Sequence, residues 1–450
     1  MLKATGLLAG AAGFFPGSFV TADSSHQWRN WGGNLNSQPK NILVPRSEDQ
    51  LVDFVKASSS TIRPVGSGHS WSALVPTEGM LISLDAMNGL VSHDSANRQT
   101  EVWGGTKLFA LGPMLEGVDQ ALLNMSDINY QSIAGAIATS THGTGMNLGS
   151  MSSFVRGLRL VTASGEVLDC DPENNSELFR ATQVSLGTLG VNTLVRLQNQ
   201  AAHRLHQREW LADTNEVLED IDSYVRSNQQ FELFPLPHTT KSIVVVTNPA
   251  DVNMADTIVD HPEAVNDLRQ AFELTRVLPF GGEFVYKNLL ELAYGNGSDR
   301  VGASYKVLAH PRVVPFIEME YTVPAERGVE CLRELLAVIR KKAPDVGFPL
   351  EYRYVKADQS MISMFSERDG CSISMHQFAD LPNWQQYFET LEPVFRKYDG
   401  RPHWGKWNSL KDADFEALYP QWNDFKRVRR ELDPSGKFLN PYLRTVFGEV

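Results

Sequence analysis

The stretch Pro64-Val65-Gly66-Ser67-Gly68-His69-Ser70-Trp71 constrains this chain more than any other. Its two glycines admit backbone conformations that a side chain forbids, and they let the chain pass close to a ligand. Successive backbone N–H groups in such a loop can cradle an anion such as a pyrophosphate. The same eight residues also suit a plain Gly/Ser turn with an incidental histidine. They are not the dinucleotide fingerprint, which needs a third glycine and a following helix. The surroundings favour a ligand. Asn41–Pro45 reads as a strand, and Ser47-Glu48-Asp49-Gln50 as a capping box that opens a helix carrying Leu51, Phe54 and Val55. Thr61–Val65 reads as a second strand. The loop therefore lies at the carboxyl end of a strand in a β-α-β unit, a common ligand position.

The chain has 450 residues, enough for two or more domains with sizeable cores. Its net charge is −12 and it carries no basic tract, which argues against a nucleic-acid partner. Cys170, Cys331 and Cys371 stand far apart and form neither a disulfide framework nor a Cys-x-x-Cys metal pair. Met1-Leu2-Lys3, the apolar small-residue run Ala4–Val20 and Val20-Thr21-Ala22 read as a secretory signal over 1–22. The run looks like the part of a twin-arginine signal that follows the arginine pair. The expectation is export to a bacterial periplasm from a start further upstream, or a cytoplasmic protein if this segment is no signal. No other stretch is long and apolar enough to cross a bilayer.

Further along, Leu81–Leu84, Glu101–Trp103 and Ala121–Leu123 read as strands, with a helix marked by Leu108, Leu111 and Leu115. The stretch Asn124–Gly145 is small and polar, too polar for a core helix, and suits close packing on a flat polar ring system; a turn-rich connection is the alternative. Arg159–Leu168 reads as a hairpin, and Ser185–Val191 as a tight glycine turn before a strand. The texture changes near Ala201. Strands at Phe316–Val323, Glu351–Lys356 and Cys371–Phe378 alternate with helices at Ala325–Lys341 and Asn383–Tyr398, which predicts an α+β second domain. Asp412–Arg430 reads as a helix.

Three clusters can carry chemistry. Period-2 alternation puts Glu351 and Arg353 on one strand face, where a carboxylate and a guanidinium can grip a polyhydroxylated substrate. An ion pair on a solvated face is the plainer reading. Ser372, Ser374 and His376 share a face of the next strand, and His376 faces either substrate or a structural partner. Arg401–Trp407 sets an aromatic beside Lys406, a combination that suits sugars or a packed turn. His-Glu-x-x-His, Walker A and Gly-x-Ser-x-Gly motifs are all absent, and no metal ligand set is expected.

Five stretches in order, Asn30–Asn34, Val65–Ser70, Ser132–Gly145, Glu351–Arg353 and Pro402–Lys406, resemble the vanillyl-alcohol-oxidase or PCMH-type flavoproteins, in the branch of sugar-1,4-lactone and alditol oxidases. The resemblance implies an α+β fold: a two-subdomain PCMH-type FAD-binding domain over 23–200, and a substrate (cap) domain with an antiparallel sheet over 201–400. A C-terminal segment, 401–450, would complete the site and pack back on the FAD domain. It implies FAD tethered through His69, with Val65, Gly66, Ser67, Gly68 and Ser70 at the pyrophosphate. Asp127, Ser132, Gly135, Thr139, Ser140, Thr141, His142 and Val191 would lie along the flavin. Glu351, Arg353, His376 and Lys406 would surround the substrate. His376 and Asp127 depart from the family pattern, which has a threonine and a serine there. The implied activity is oxidation of a sugar-lactone hydroxyl by hydride transfer to flavin, with O2, a cytochrome or a quinone as acceptor. Alditol oxidation is the near alternative. A non-catalytic flavin- or carbohydrate-binding protein is the alternative of another class.

Overall fold

The computed structural model describes residues 27–260, 264–276, 285, 288–291 and 297–449. The signal-like segment 1–22 lies outside them. The fold is α+β, as expected. The strand Asn41–Leu43, the helix Glu48–Ala57 and the strand Ile62–Val65 form the β-α-β unit. Both strands pair in parallel with Met80–Ser83, which lies between them. Ser47 caps the helix by accepting from the Gln50 N–H at 3.2 Å. Leu51 and Val55 turn inward onto Ile62, Ile82 and Val191.

A second subdomain is built on an antiparallel sheet in the order Val167–Cys170, Val155–Val161, Val191–Ala201, Gln99–Trp103, Leu90–Asp94. Leu90–Asp94 carries no alternating apolar pattern because four of its five residues are exposed, so the sequence does not announce it. Within the polar stretch 124–145, Ile133–Ala138 forms a helix after all, burying Ile133, Ala136 and Ile137. Its apolar hexapeptide is masked by the polar residues on either side.

The cap is one eight-stranded antiparallel sheet. Its order is Ser298–Ala303, Arg204–Asp213, Lys241–Pro249, Gln230–Pro235, Glu351–Val355, Gly370–Phe378, Phe316–Pro324, Arg401–Pro402. The helices Gly328–Lys342 and Trp384–Lys397 pack on it through Leu332, Leu335, Ile339, Phe388 and Phe395. Cys331 joins them in the buried face, and Val329 is half-buried. The expected helix over Asp412–Arg430 is two helices, Asp412–Leu418 and Trp422–Leu432. Pro420 stands between them; it lacks an N–H and turns the preceding residue away from helical geometry.

The chain end returns to the β-α-β unit. The Ile62 N–H donates to the Lys437 carbonyl at 2.8 Å. Arg63, 1 % exposed, donates to the carbonyls of Leu74 (2.7 Å), Leu186 (2.6 Å), Gly187 (2.9 Å) and Phe438 (2.5 Å). One buried apolar cluster runs from Val102 and Ile137 in the second subdomain to Tyr321 and Tyr352 in the cap, so the two are packed as one body.

Candidate active site

A cleft runs between the two N-terminal subdomains. The Val65–Ser70 loop forms one wall and the Ser132–Thr139 segment another; Val191 closes a third side. Gly68 has φ +69°, the left-handed region that glycine adopts freely. A Cβ on Gly66 would lie 2.4 Å from Ser132 Oγ, so a side chain there would displace the hydroxyl that faces it across the cleft. The Ser67 hydroxyl donates to the Tyr130 carbonyl at 2.5 Å and pins the loop.

His69 lines this cleft with its buried Nδ1 unpartnered among the described residues. Its ring stacks between Trp31 (centroids 5.3 Å) and Tyr130 (6.2 Å). Burial, then the charges of Lys406 and Lys107, bring its pKa down to about 4, which leaves a neutral imidazole at physiological pH. A bare-backbone loop, small hydroxyl residues and an unpartnered imidazole nitrogen fit FAD.

Of the residues expected on the flavin, Val65, Gly66, Ser67, Gly68, His69, Ser70, Ser132, Gly135, Thr139 and Val191 line the cleft. Ser140, Thr141, His142 and Asp127 stand outside its lining. Ser140 has φ +61° and turns the chain away; its hydroxyl meets Ser363 at 3.0 Å. Thr141 bonds Gln131 and Thr139. His142 Nε2 lies 2.6 Å from Glu320. Asp127 is held by Arg312 at 2.5 Å, across the junction with the cap. Burial pushes the Asp127 carboxyl up, and Arg312, His310 and Arg353 together pull it below its ordinary value.

Above this site, the register of the cap sheet assembles a polar face. Residues directly opposite each other in antiparallel strands project to the same side. Glu232 faces Arg353, and Arg353 and Glu351 face Ser372 and Ser374. Ser372, Ser374 and His376 face Thr322, Glu320 and Glu318. Ile317, Met319 and Tyr321 alternate with these and enter the apolar core.

The Arg353 Nη2 bonds Glu351 and Glu320, each at 3.1 Å, and Ser374 at 3.3 Å. Its buried Nε has no acceptor among the described residues. Lys406 pairs with Glu318 and sits 4.4 Å from the Trp71 ring centroid. His376 Nε2 lies 3.4 Å from Glu318, and its ring stacks on Phe348 at 4.9 Å. Burial alone would raise these carboxyls. Lys406 and His376 outweigh it at Glu318, whose pKa falls to about 2. Arg353 and His142 do the same at Glu320, which lies well below the carboxylate range. At Glu351 burial wins over Arg353 and the pKa rises. Burial opposes the charge of Arg353, but Glu351 and Glu320 hold its pKa above the ordinary arginine value.

The face therefore presents two fixed cations, Arg353 and Lys406, backed by buried carboxylates. That arrangement suits a neutral polyhydroxylated molecule whose oxygens take the cations' spare donors. The solvated ion pair considered for Glu351 and Arg353 is overturned: they are 6 % and 5 % exposed. Glu318 and Glu320 were missed, although the alternation of Glu318, Glu320 and Thr322 with apolar neighbours was the readable signal. Among the described residues, two His/Glu groups have ligand atoms within 4.8 Å of one another, but Arg353 and Lys406 already neutralise the carboxylates Glu320 and Glu318 in them.

A split FAD cleft beneath a cap sheet with a charged polar face defines an FAD-dependent oxidoreductase acting on CH–OH groups. Residues 39–171 match the FAD binding domain family, and 195–446 match the D-arabinono-1,4-lactone oxidase family. The chain is 35% identical to the L-gulono-1,4-lactone dehydrogenase of Mycobacterium tuberculosis, over 94% of this chain and 99% of that one. It is 28% identical to the L-gulonolactone oxidase of Bos taurus over 94% and 98%. It is 27% identical to the alditol oxidase of a Streptomyces species over 92% and 97%. A cholesterol oxidase from B. sterolicum shares the fold with TM-score 0.79 at 16% identity, covering 94% of this chain and 97% of that one. The chain belongs to the D-arabinono-1,4-lactone oxidase family.

Proposed function

We propose that this enzyme oxidises a ring hydroxyl, that on C2, of a sugar 1,4-lactone, using FAD tethered through His69. The observation that carries this reading is Arg353, fixed by two carboxylates with its Nε donor free, on the same face as Glu351 and beside Lys406. FAD, when bound, supplies the hydride acceptor and passes the electrons on to O2, a cytochrome or a quinone. Arg353 and Lys406 hold the reacting oxygen and lower its affinity for its proton. Glu351 fixes the plane of the guanidinium, and Glu320, itself held by His142, supports it from Phe316–Pro324, two strands away across Gly370–Phe378. Holding the reacting C–H in one orientation contributes to the rate by positioning. The test is an anaerobic screen of lactones and polyols against the purified holoenzyme. Sugar lactones should bleach the flavin, and xylitol or sorbitol should do so more slowly; admitting air then shows whether O2 restores the colour. Bleaching by polyols alone would favour alditol oxidation.

The tether reading is supported by the neutral, unpartnered Nδ1 of His69 in the cleft wall. Acid-precipitated wild-type protein should keep its flavin in the pellet, and His69→Ala should release it to the supernatant. Free flavin from the wild type would rule the tether out. Export is supported by the apolar run and the Val20-Thr21-Ala22 sequence; mature protein beginning near Asp23 in a periplasmic fraction is the expected result.

A further inference from the structure

Five carboxyl groups gather around the substrate face: Asp127, Glu232, Glu318, Glu320 and Glu351. Four of them have cations in contact. Asp127 has Arg312, Glu318 has Lys406, and Glu320 and Glu351 share Arg353. Glu232 has none: among the described residues no side chain bonds or pairs with it. It is nonetheless half-buried. Its strand register sets it directly opposite Arg353, on the side that carries Glu351. On its other flank the facing residue is Val245, which offers no charge.

We propose that Glu232 meets the substrate as an uncharged carboxylic acid and donates its proton in a hydrogen bond to an acceptor oxygen of the lactone. This inference rests on the proposed lactone reading and names a further specificity-determining residue for it. Of two adjacent carboxyls, the half-buried one without a cation in contact takes up a proton before the one that Arg353 holds, because two adjacent negative charges cannot both be held away from water. Burial, then Glu351, push its pKa up to about 8; Arg353 and Arg312 oppose this and Asp127 adds to it. A lactone carbonyl oxygen can only accept a hydrogen bond, so a neutral acid suits it where a carboxylate would repel it.

The experiment compares wild type, Glu232→Gln and Glu232→Ala holoenzymes with L-gulono-1,4-lactone from pH 6 to pH 10. An amide keeps a donor at this position and cannot ionise. Glu232→Gln should hold kcat/KM within about threefold at pH 6.5 and abolish a decline that the wild type shows above about pH 8. Glu232→Ala should raise KM roughly tenfold and leave kcat little changed. A tenfold loss in Glu232→Gln at pH 6.5, a decline unchanged by that substitution, or a flat wild-type profile would each overturn the proposal.

An activity-free readout separates this from failure of the lactone reading. A raised folded-state pKa adds stability that is complete below the unfolded value, near 4.5, and is lost as pH rises through about 8. The melting temperature of Glu232→Gln relative to wild type should therefore climb between pH 5 and pH 8.5. A constant difference overturns the proposal whether or not any lactone reduces the flavin.

Discussion

Replacing Arg353 with lysine slows anaerobic flavin reduction by a sugar lactone roughly 10²–10³-fold, the cost of one misplaced donor at a charge-developing oxygen. The charge survives this substitution but the geometry does not. Arg353 reaches Glu351, Glu320 and Ser374 through Nη2 and keeps Nε free beside them. An ammonium is a point charge and cannot satisfy the carboxylates while aiming a separate donor at substrate. FAD content is unchanged, because Arg353 lies on the cap sheet and not in the cleft lining. Stopped-flow traces at saturating lactone separate this from a loss of binding. Arg353→Ala has a different outcome. It leaves Glu320 and Glu351 without their cation and costs about 3–5 kcal/mol of stability, as breaking a buried pair does. Denaturant titration beside the kinetic measurement distinguishes the two effects.

The second large effect is on the cleft itself. Arg63→Met removes the donors from four carbonyls, on Leu74, Leu186, Gly187 and Phe438. A buried acceptor left unsatisfied costs roughly 1–3 kcal/mol, and water will replace some of the lost bonds, so the expected loss is about 4 kcal/mol. Leu74, Leu186 and Gly187 also line the cleft, so their release should lower FAD retention. A melting temperature several degrees lower and a reduced ratio of flavin to protein after gel filtration are the expected readings. Arg63 touches no substrate-facing residue, so whatever holoenzyme remains should turn over normally.

Much of this was legible in the sequence because two periodicities carried it. The helix pattern after Ser47 and the strand before Gly66 placed the glycine loop at the carboxyl end of a β-α-β unit. Period-2 alternation placed Glu351 and Arg353 on one face, and the structure brings Ser372, Ser374 and His376 to the same face. What stayed hidden depended on partners distant in the chain. Glu318 and Glu320 alternate as clearly as Glu351 and Arg353, but their role follows from cross-strand register with His376 and Ser374. Glu232 matters through the charge it lacks, which no local pattern reveals. Asp127 and His142 lie in a stretch that suits a flavin, and both turn toward the cap. The turn that sends His142 away is made at Ser140 in the left-handed region, a conformation that serine does not signal.

The account's central claim is that the cap-sheet face delivers a sugar-lactone hydroxyl to FAD. The most direct test is an anaerobic reductive titration of the wild-type holoenzyme with L-gulono-1,4-lactone, run beside Arg353→Lys. One equivalent of lactone should reduce one equivalent of flavin and yield one of oxidised lactone, far more slowly in the variant. A flavin that no sugar lactone reduces, or one reduced equally fast in both proteins, would contradict it.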